Sequence, residues 1–568
     1  MLEARLRRPG FRLVDVDKRK LLSDFPSGSK LGHDIKFAAL SYVWGKLDTS
    51  RTNALLSSNK HELTAPGGLE KLNLPKAIED AIIVCQKLQQ RFLWVDRLCN
   101  QQDDGGPEKQ AQINAMGNIY SSAEFTIVHA SGLSMKDAIA GVTTARQCFQ
   151  FRTVVCGLEL ISRYPDITVP MRGARWNERG WAYQEAVLSR RKLFFTPLEL
   201  WFECSDSYAG YQREEQLNGL TKYATKFNDF VRHLESYTAR SLSHQSNILD
   251  AFKGILTALY EGDLSIYGLP EANFDQALLW YCRAKWRPTV GASSFPSWSW
   301  PSVTGTVTAL TDFLNQEEFL GTLAQWYYQD QNGELKNVKS EKSLRRWRCQ
   351  EFSAQAYLPV AWWKECLEPA IPEDVMQELK KCPATCNDKY CPTCELQIKK
   401  RWFYLEDVWK DIEGDQKFRF RDIQHLMTGA REEERQLIKQ LHPGVLLTRA
   451  QTTILKASVT KVLNCSTELQ LANSAGWRIG GILPGVLEMG LEKFPDGTKP
   501  GEALQAVPFE YMGVSLSCYH GASRKLAVNM LVIQRKEGSP FWWRIAVGWV
   551  CLEDWFRADR TFKTTGLE

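Results

Sequence analysis

The chain has 568 residues, with 71 basic and 66 acidic side chains for a formal charge of +5, and is 44% hydrophobic and 24% charged. That composition excludes a disordered or fibrous protein, and the length suggests about two to four domains of ordinary size. A surplus of five charges gives no protein-wide field toward nucleic acid or an anionic membrane, so either partner would need a local patch.

The start MLEARLRRPGFRLVDVDKRK is basic but is followed by no apolar signal core. No segment approaches the ~18 apolar residues of a membrane span, so a soluble, cytoplasmic protein is expected. Phe37 to Val43 reads as a buried strand ended by Trp44-Gly45. Pro75 fits a first helical position, and Ile78, Ala81, Ile82, Cys85 and Leu88 recur at helical spacing behind it. Phe92 to Val95 is the next strand, and Pro107 opens a helix carrying Ile113, Met116 and Tyr120. Phe125 to Val128 is a third strand, Trp181 to Leu188 a helix, and Lys192 to Thr196 and Leu200 to Phe202 two further strands. Strands alternating with helices predict an α/β domain with a mostly parallel sheet over residues 1–210.

Residues 211–305 are richer in helix formers, with Ile248, Phe252, Ile255, Leu256 and Leu259 on one stripe, and read as a helical connector or lid. Residues 306–568 change to short aromatic runs punctuated by Gly, Pro and Asn, as expected of a β-rich region. Within it Leu526 to Ile533 and Phe541 to Val550 predict a hairpin, with Trp543, Ile545, Val547 and Trp549 forming one apolar face. No internal repeat is present.

Several enzyme classes are excluded by missing motifs. The chain has no phosphate-binding P-loop, no G-x-G-x-x-G after a strand, no H-E-x-x-H and no G-x-S-x-G elbow. His129, at the end of the FTIV run, is the one histidine at a sheet position where active-site groups gather, but it fits a satisfied, half-buried residue better.

Three segments place polar residues just after a buried strand or on the helix facing it. They are Leu40-Ser41-Tyr42-Val43-Trp44-Gly45, Leu93-Trp94-Val95-Asp96-Arg97-Leu98-Cys99 running to Gln102, and Arg179-Gly180-Trp181-Ala182-Tyr183-Gln184-Glu185. Ligands bind at the carboxyl ends of the strands in a doubly wound sheet, so Ser41, Asp96 and their loops are expected to share one cleft. In these residues, in this order, the chain resembles the heterokaryon-incompatibility (HET) domain family of filamentous fungi. The resemblance extends through Met116-Gly117-Asn118-Ile119-Tyr120, Gly268-Leu269-Pro270, Leu278-Leu279-Trp280 and Pro296-Ser297-Trp298-Ser299-Trp300. It departs at Asn100, where the family carries an apolar residue.

The resemblance implies a TIR-like (flavodoxin-like) N-terminal fold and a role in fungal non-self recognition and programmed cell death. It further implies self-association, or association with another incompatibility or NLR-type protein. TIR enzymes that hydrolyse NAD use a glutamate four residues after a tryptophan, a spacing shared by Trp181 and Glu185 that puts both on one helix face. By that analogy NAD is the substrate, Glu185 the catalytic group, and Ser41, Tyr42, Trp44, Asp96 and Trp181 the binding residues. A non-catalytic signalling module built on the same motifs is the alternative. Glu185 equally fits an ion pair with Arg179 or Arg190 on a helix surface, Asp96 fits a turn, and Trp44 and Trp181 fit core anchors. Ser41 has no histidine in any recognised nucleophile order, and Cys99 reads as a buried thiol.

Cys382, Cys386, Cys391 and Cys394 form C-x3-C-x4-C-x2-C, a set able to close a structural zinc site in an insertion at 382–394. Lys336, Lys339, Lys342, Arg345, Arg346 and Arg348 surround Trp347, but the stretch carries no recognised reading motif, so no specific nucleic-acid site is expected.

Overall fold

The structure is a computed structural model that describes residues 10–338 and 432–568 apart from several stretches, the longest being 206–225 and 484–509. The cysteine cluster at 382–394 and the basic stretch beyond Lys336 lie outside the described residues. Lys336 itself is exposed and paired with Asp330 at 2.6 Å. The chain divides into two units, one of Met1–Ala224 with Ser236–Asp263, the other of Thr225–Glu235 with Leu264–Glu568. The stretch read as a connector is thus shared between them.

In the first unit the elements are β1 (Leu13–Asp15), β2 (Lys20–Leu22), β3 (Phe37–Ser41), α1 (Lys60–Thr64), α2 (Lys76–Lys87), β4 (Phe92–Trp94), α3 (Asp96–Cys99), α4 (Pro107–Ser122) and β5 (Phe125–His129). There follow β6 (Arg152–Val155), β7 (Leu158–Ile161), α5 (Thr168–Arg172), α6 (Gly180–Leu188), β8 (Arg191–Phe195) and β9 (Leu200–Cys204). The seven-stranded sheet has the order β2-β1-β4-β3-β5-β8-β9. Its four central strands run parallel, β3 beside both β4 and β5 and β5 beside β8, while β1, β2 and β9 join antiparallel.

The parallel strands therefore follow one another as second, first, third and fourth, the order of doubly wound sheets with a switch point between first and third. In this chain the switch point lies between β3 and β5, at whose carboxyl ends Ser41 is opposite Val128. β3 is buried along its whole length, as expected of a parallel strand covered on both faces. Against the sheet α2 buries Ile78, Ala81, Ile82 and Cys85 of the predicted stripe, with Ala77 and Val84 beside them, whereas Leu88, just past the helix end, is exposed. It also buries Asp80, which accepts from the Ile139 amide at 2.6 Å and the Thr143 hydroxyl at 2.7 Å.

The second unit is β-rich, as expected, with an eleven-stranded sheet. The predicted hairpin is present, Arg524–Arg535 pairing antiparallel with Trp542–Cys551. Its alternation differs from the sequence reading: Arg544 through Gly548 are buried without a break and Trp543 is exposed. The strand has partners on both sides, Arg524–Arg535 and Arg478–Leu483, so it is interior to the sheet. Among the described residues no helix is long and apolar enough to cross a membrane.

Candidate active site

The strand β3 ends at Ser41, and the chain leaves it through a turn that only glycine tolerates well. Gly45 has φ +90, and a Cβ there would stand 2.7 Å from that of Ser134. This turn carries Tyr42 and Trp44 past the end of the sheet. From the neighbouring strand, Asp96 opens α3 directly after β4. Its carboxylate accepts from the Trp44 indole at 2.8 Å and from the Arg97 amide at 2.7 Å. The Arg97 guanidinium stacks over the Trp44 ring at 5.2 Å.

The third motif arrives on α6. At its start Arg179 donates to the Tyr42 carbonyl at 2.5 Å. Gly180 allows a close approach, since a Cβ would lie 2.7 Å from Leu242. Trp181 is half-buried against the core. One turn later Gln184 accepts the Gly254 amide at 2.8 Å, and Glu185 accepts a short hydrogen bond from the Ser41 hydroxyl. Ser41 in turn accepts from the Trp176 indole at 2.7 Å. The result is a directed relay, Trp176 to Ser41 to Glu185. Sequence reasoning missed Trp176, which lies in the short turn Arg175–Glu178 where no periodicity marks it.

The predicted residues Ser41, Tyr42, Trp44, Asp96 and Glu185 are thus joined in one group, with Trp181 on the helix that carries Glu185. Ser41, Tyr42 and Glu185 are buried, whereas Trp44, Asp96, Arg179 and Trp181 remain half-buried and form the side that faces solvent. Glu185 is not the surface ion-pair partner that its helix position allowed.

Burial governs the electrostatics. It pushes the Glu185 carboxyl up to about 7, assisted by the nearby Asp96 charge and opposed by the Ser41 hydrogen bond, the Arg179 guanidinium and Tyr120. Asp96 is also raised by burial, with Tyr42, Arg179, Trp44 and the Arg97 amide pulling it back. The Tyr42 hydroxyl, raised well above its usual value by burial and then by the Asp96 charge, is close enough to feel that carboxylate but completes no hydrogen bond of ordinary geometry. Both acids are thus raised by burial and lowered by the same guanidinium, that of Arg179.

His129 and Cys99 take no part. His129 is fully buried, contacts Ser131 at 3.2 Å and is lowered by burial to about 4. The Cys99 thiol accepts from the Val95 amide at 3.4 Å and is pushed by burial up to about 12. Asn100 is half-buried at the end of α3, where its carbonyl accepts from the Gln102 side chain at 2.9 Å, so a polar residue fits that position. Among the described residues no group of His, Cys, Asp or Glu could hold a metal ion.

Residues 37–185 match the family model described as Heterokaryon incompatibility protein (HET). The match begins at the first residue of β3 and ends on Glu185. No curated protein and no solved structure matches the chain.

Proposed function

The chain carries a HET domain at residues 37–185, and from that premise we propose that it is an effector of heterokaryon incompatibility and cell death whose N-terminal unit, TIR-like in fold, hydrolyses NAD. The observation that carries the reading is the Glu185 carboxyl, buried and hydrogen-bonded to Ser41 at the switch point of the parallel sheet.

In NAD the nicotinamide nitrogen is positively charged. When the bond between it and C1′ of the ribose breaks, the electron pair leaves with neutral nicotinamide, and the positive charge moves to an oxocarbenium-like sugar. Water then adds at C1′ and gives up one proton, leaving ADP-ribose. Glu185 supplies a fixed negative charge beside the developing cation, in a site too dry to screen it. Ser41 and Trp176 orient that carboxylate, while Trp44 and Trp181 offer ring faces to the nicotinamide and Asp96 a second charge. Tyr42 closes the group at its buried end.

Glu185→Gln keeps the size and removes the charge. It is expected to lower the rate of nicotinamide release from NAD on the order of a hundredfold or more. In wild type the rate should rise with pH as Glu185 ionises, half-maximal near 7, and level off above. Wild-type turnover matched by the variant would make Glu185 structural. The alternative, a module that signals by self-assembly or by binding another incompatibility protein, draws support from the near-complete burial of Ser41 and Glu185. It takes over if neither protein releases nicotinamide while cell killing persists.

A further inference from the structure

Between β5 and α5 lies a hairpin that joins no other sheet among the described residues. β6 and β7 pair only with each other, and all eight of their residues are exposed. The turn is the two-residue type that suits a hairpin, with Cys156 at φ 53 and Gly157 at φ 80. The base is closed by the Ser162 amide on the Phe151 carbonyl at 2.8 Å and the Phe151 amide on the Ser162 hydroxyl at 2.9 Å.

What it exposes is apolar. Phe151 is 84% accessible and Leu158 69%, and Val154, Val155, Leu160 and Ile161 all stand open as well. The register divides these side chains between both faces. Val155 pairs with Leu158 and Thr153 with Leu160 on one; Val154 pairs with Glu159 and Arg152 with Ile161 on the other. One face is thus apolar but for Thr153, while the other sets Val154 and Ile161 beside the Arg152–Glu159 ion pair; a lone two-stranded hairpin is marginal in water, and exposed apolar side chains on both faces make it more so.

From these apolar side chains exposed on both faces we infer that the hairpin is a membrane-surface anchor that inserts its tip into an anionic lipid interface. A flat protein partner would cover one face and leave the other in water, whereas a lipid interface surrounds what enters it. Four-residue strands at ~3.3 Å per residue reach roughly 13 Å, enough to carry Val155 and Leu158 to the ~5–10 Å depth at which interfacial segments lie. Water persists at that level, so the open strand edges stay hydrated, which the hydrocarbon interior would not allow.

The charges are arranged to match. Arg152 and Arg163 stand exposed at the base, at the height of the lipid phosphates. Glu159 is neutralised by Arg152 at 3.4 Å, and Asp166, the next acid along the chain, is engaged with the Thr168 amide at 3.0 Å. Tyr164, half-buried beside Arg163, is a residue type favoured at such interfaces.

The test is co-sedimentation of the full chain with vesicles of phosphatidylcholine alone and of phosphatidylcholine with phosphatidylserine. Wild type should bind both, the anionic vesicles more tightly. Phe151→Ser combined with Leu158→Ser should weaken binding on the order of tenfold or more, while leaving the melting temperature and nicotinamide release unchanged. Arg163→Gln, which leaves the Arg152–Glu159 pair intact, should reduce only the preference for phosphatidylserine. Wild type that ignores both vesicles, or serine variants that bind as well as wild type, would overturn the inference. So would a wild-type dimer that the serine pair converts to monomer while vesicles retain nothing, which would assign the hairpin to a second copy of the chain. Nicotinamide release is read without vesicles, so its failure leaves the anchor standing.

Discussion

Glu185 is held between burial, which favours its neutral form, and Ser41 and Arg179, which favour its charged form. Burial wins, and the carboxyl titrates near 7 in the folded protein against 4.5 for the free group. Between these values the folded state binds the proton more tightly than the unfolded chain. Stability therefore falls as pH rises from about 4.5 to about 7, and is level above. A displacement of this size corresponds to on the order of 3 kcal/mol. Glu185→Gln has no proton to lose, so it should lack this slope and melt higher than wild type above pH 7. Melting curves of both proteins from pH 5 to 8 give the comparison. A catalytic carboxylate kept at a cost to the fold would show as a variant that is more stable and less active. Equal melting across that range would mean that Glu185 is better hydrated than its surroundings imply.

At the scale of elements, the three motifs were legible because each is a strand end or helix start, where polar residues interrupt an apolar pattern. Gly45 was legible as the end of its strand. What the pattern could not disclose was which helix holds α6 in place. The helix Asp250–Tyr260 reads from sequence as an amphipathic stripe with no stated partner, yet its Gly254 lies against α6 and α4. A Cβ on Gly254 would fall 2.5 Å from the Gln184 side-chain oxygen and 3.0 Å from Leu188, and one on Gly117 would fall 3.0 Å from the Gly254 backbone. Two glycines thus bring the helices together, and Gln184 ties them by accepting the Gly254 amide. Gly254→Ala should gain ~1 kcal/mol of helix propensity and lose ~1–3 kcal/mol through overpacking and the broken Gln184 bond. The expected outcome is a lower melting temperature, with reduced nicotinamide release because α6 carries Glu185. A raised melting temperature would show that the crossing has room to spare. Hidden for a similar reason was the exposed hairpin of β6 and β7. Its apolar residues are interrupted by Arg152, Thr153 and Glu159, so its strands lack the clean alternation that marks the sheet.

For the whole molecule, the composition changes texture near residue 306 and the later region is β-rich, while the two units divide elsewhere in the sequence. Leu264 onward belongs to the second unit, and Ser236–Asp263 returns to the first. Within the second unit the tryptophans of the later motifs are anchors. The Trp280 indole donates to the Trp298 carbonyl at 2.8 Å, Trp298 to Gly444 at 3.0 Å, and Trp300 to Gly268 at 3.0 Å. Periodicity identifies such residues as core without saying which core they join, because the partners are distant in sequence.

The division leads to a prediction about where the N-terminal unit can be cut. The stretch Ser236–Asp263 clamps α6 from one side: Tyr237 stands 6.4 Å from the Tyr183 ring, and Arg240 stacks over that ring at 4.5 Å. Behind them Tyr237 packs on Phe252 at 4.9 Å and donates to the Ile248 carbonyl at 2.6 Å. Phe252, Ile255 and Leu256 are buried. A fragment ending at residue 210, the boundary that composition suggests, would lack all of these and expose the apolar face of α6. Each large side chain returned to water costs ~1.5–3 kcal/mol, and several together rival the whole stability of a domain. The fragment 1–263, with the apolar residues Phe227, Phe230, Val231 and Leu234 of the second unit's Thr225–Glu235 changed to polar ones, should therefore melt cooperatively and keep the near-ultraviolet circular dichroism of packed aromatic rings, and 1–210 should do neither. Should 1–210 melt as sharply and at the same temperature, α6 would be held by the sheet alone. The Glu185 site would then owe nothing to the segment that follows it.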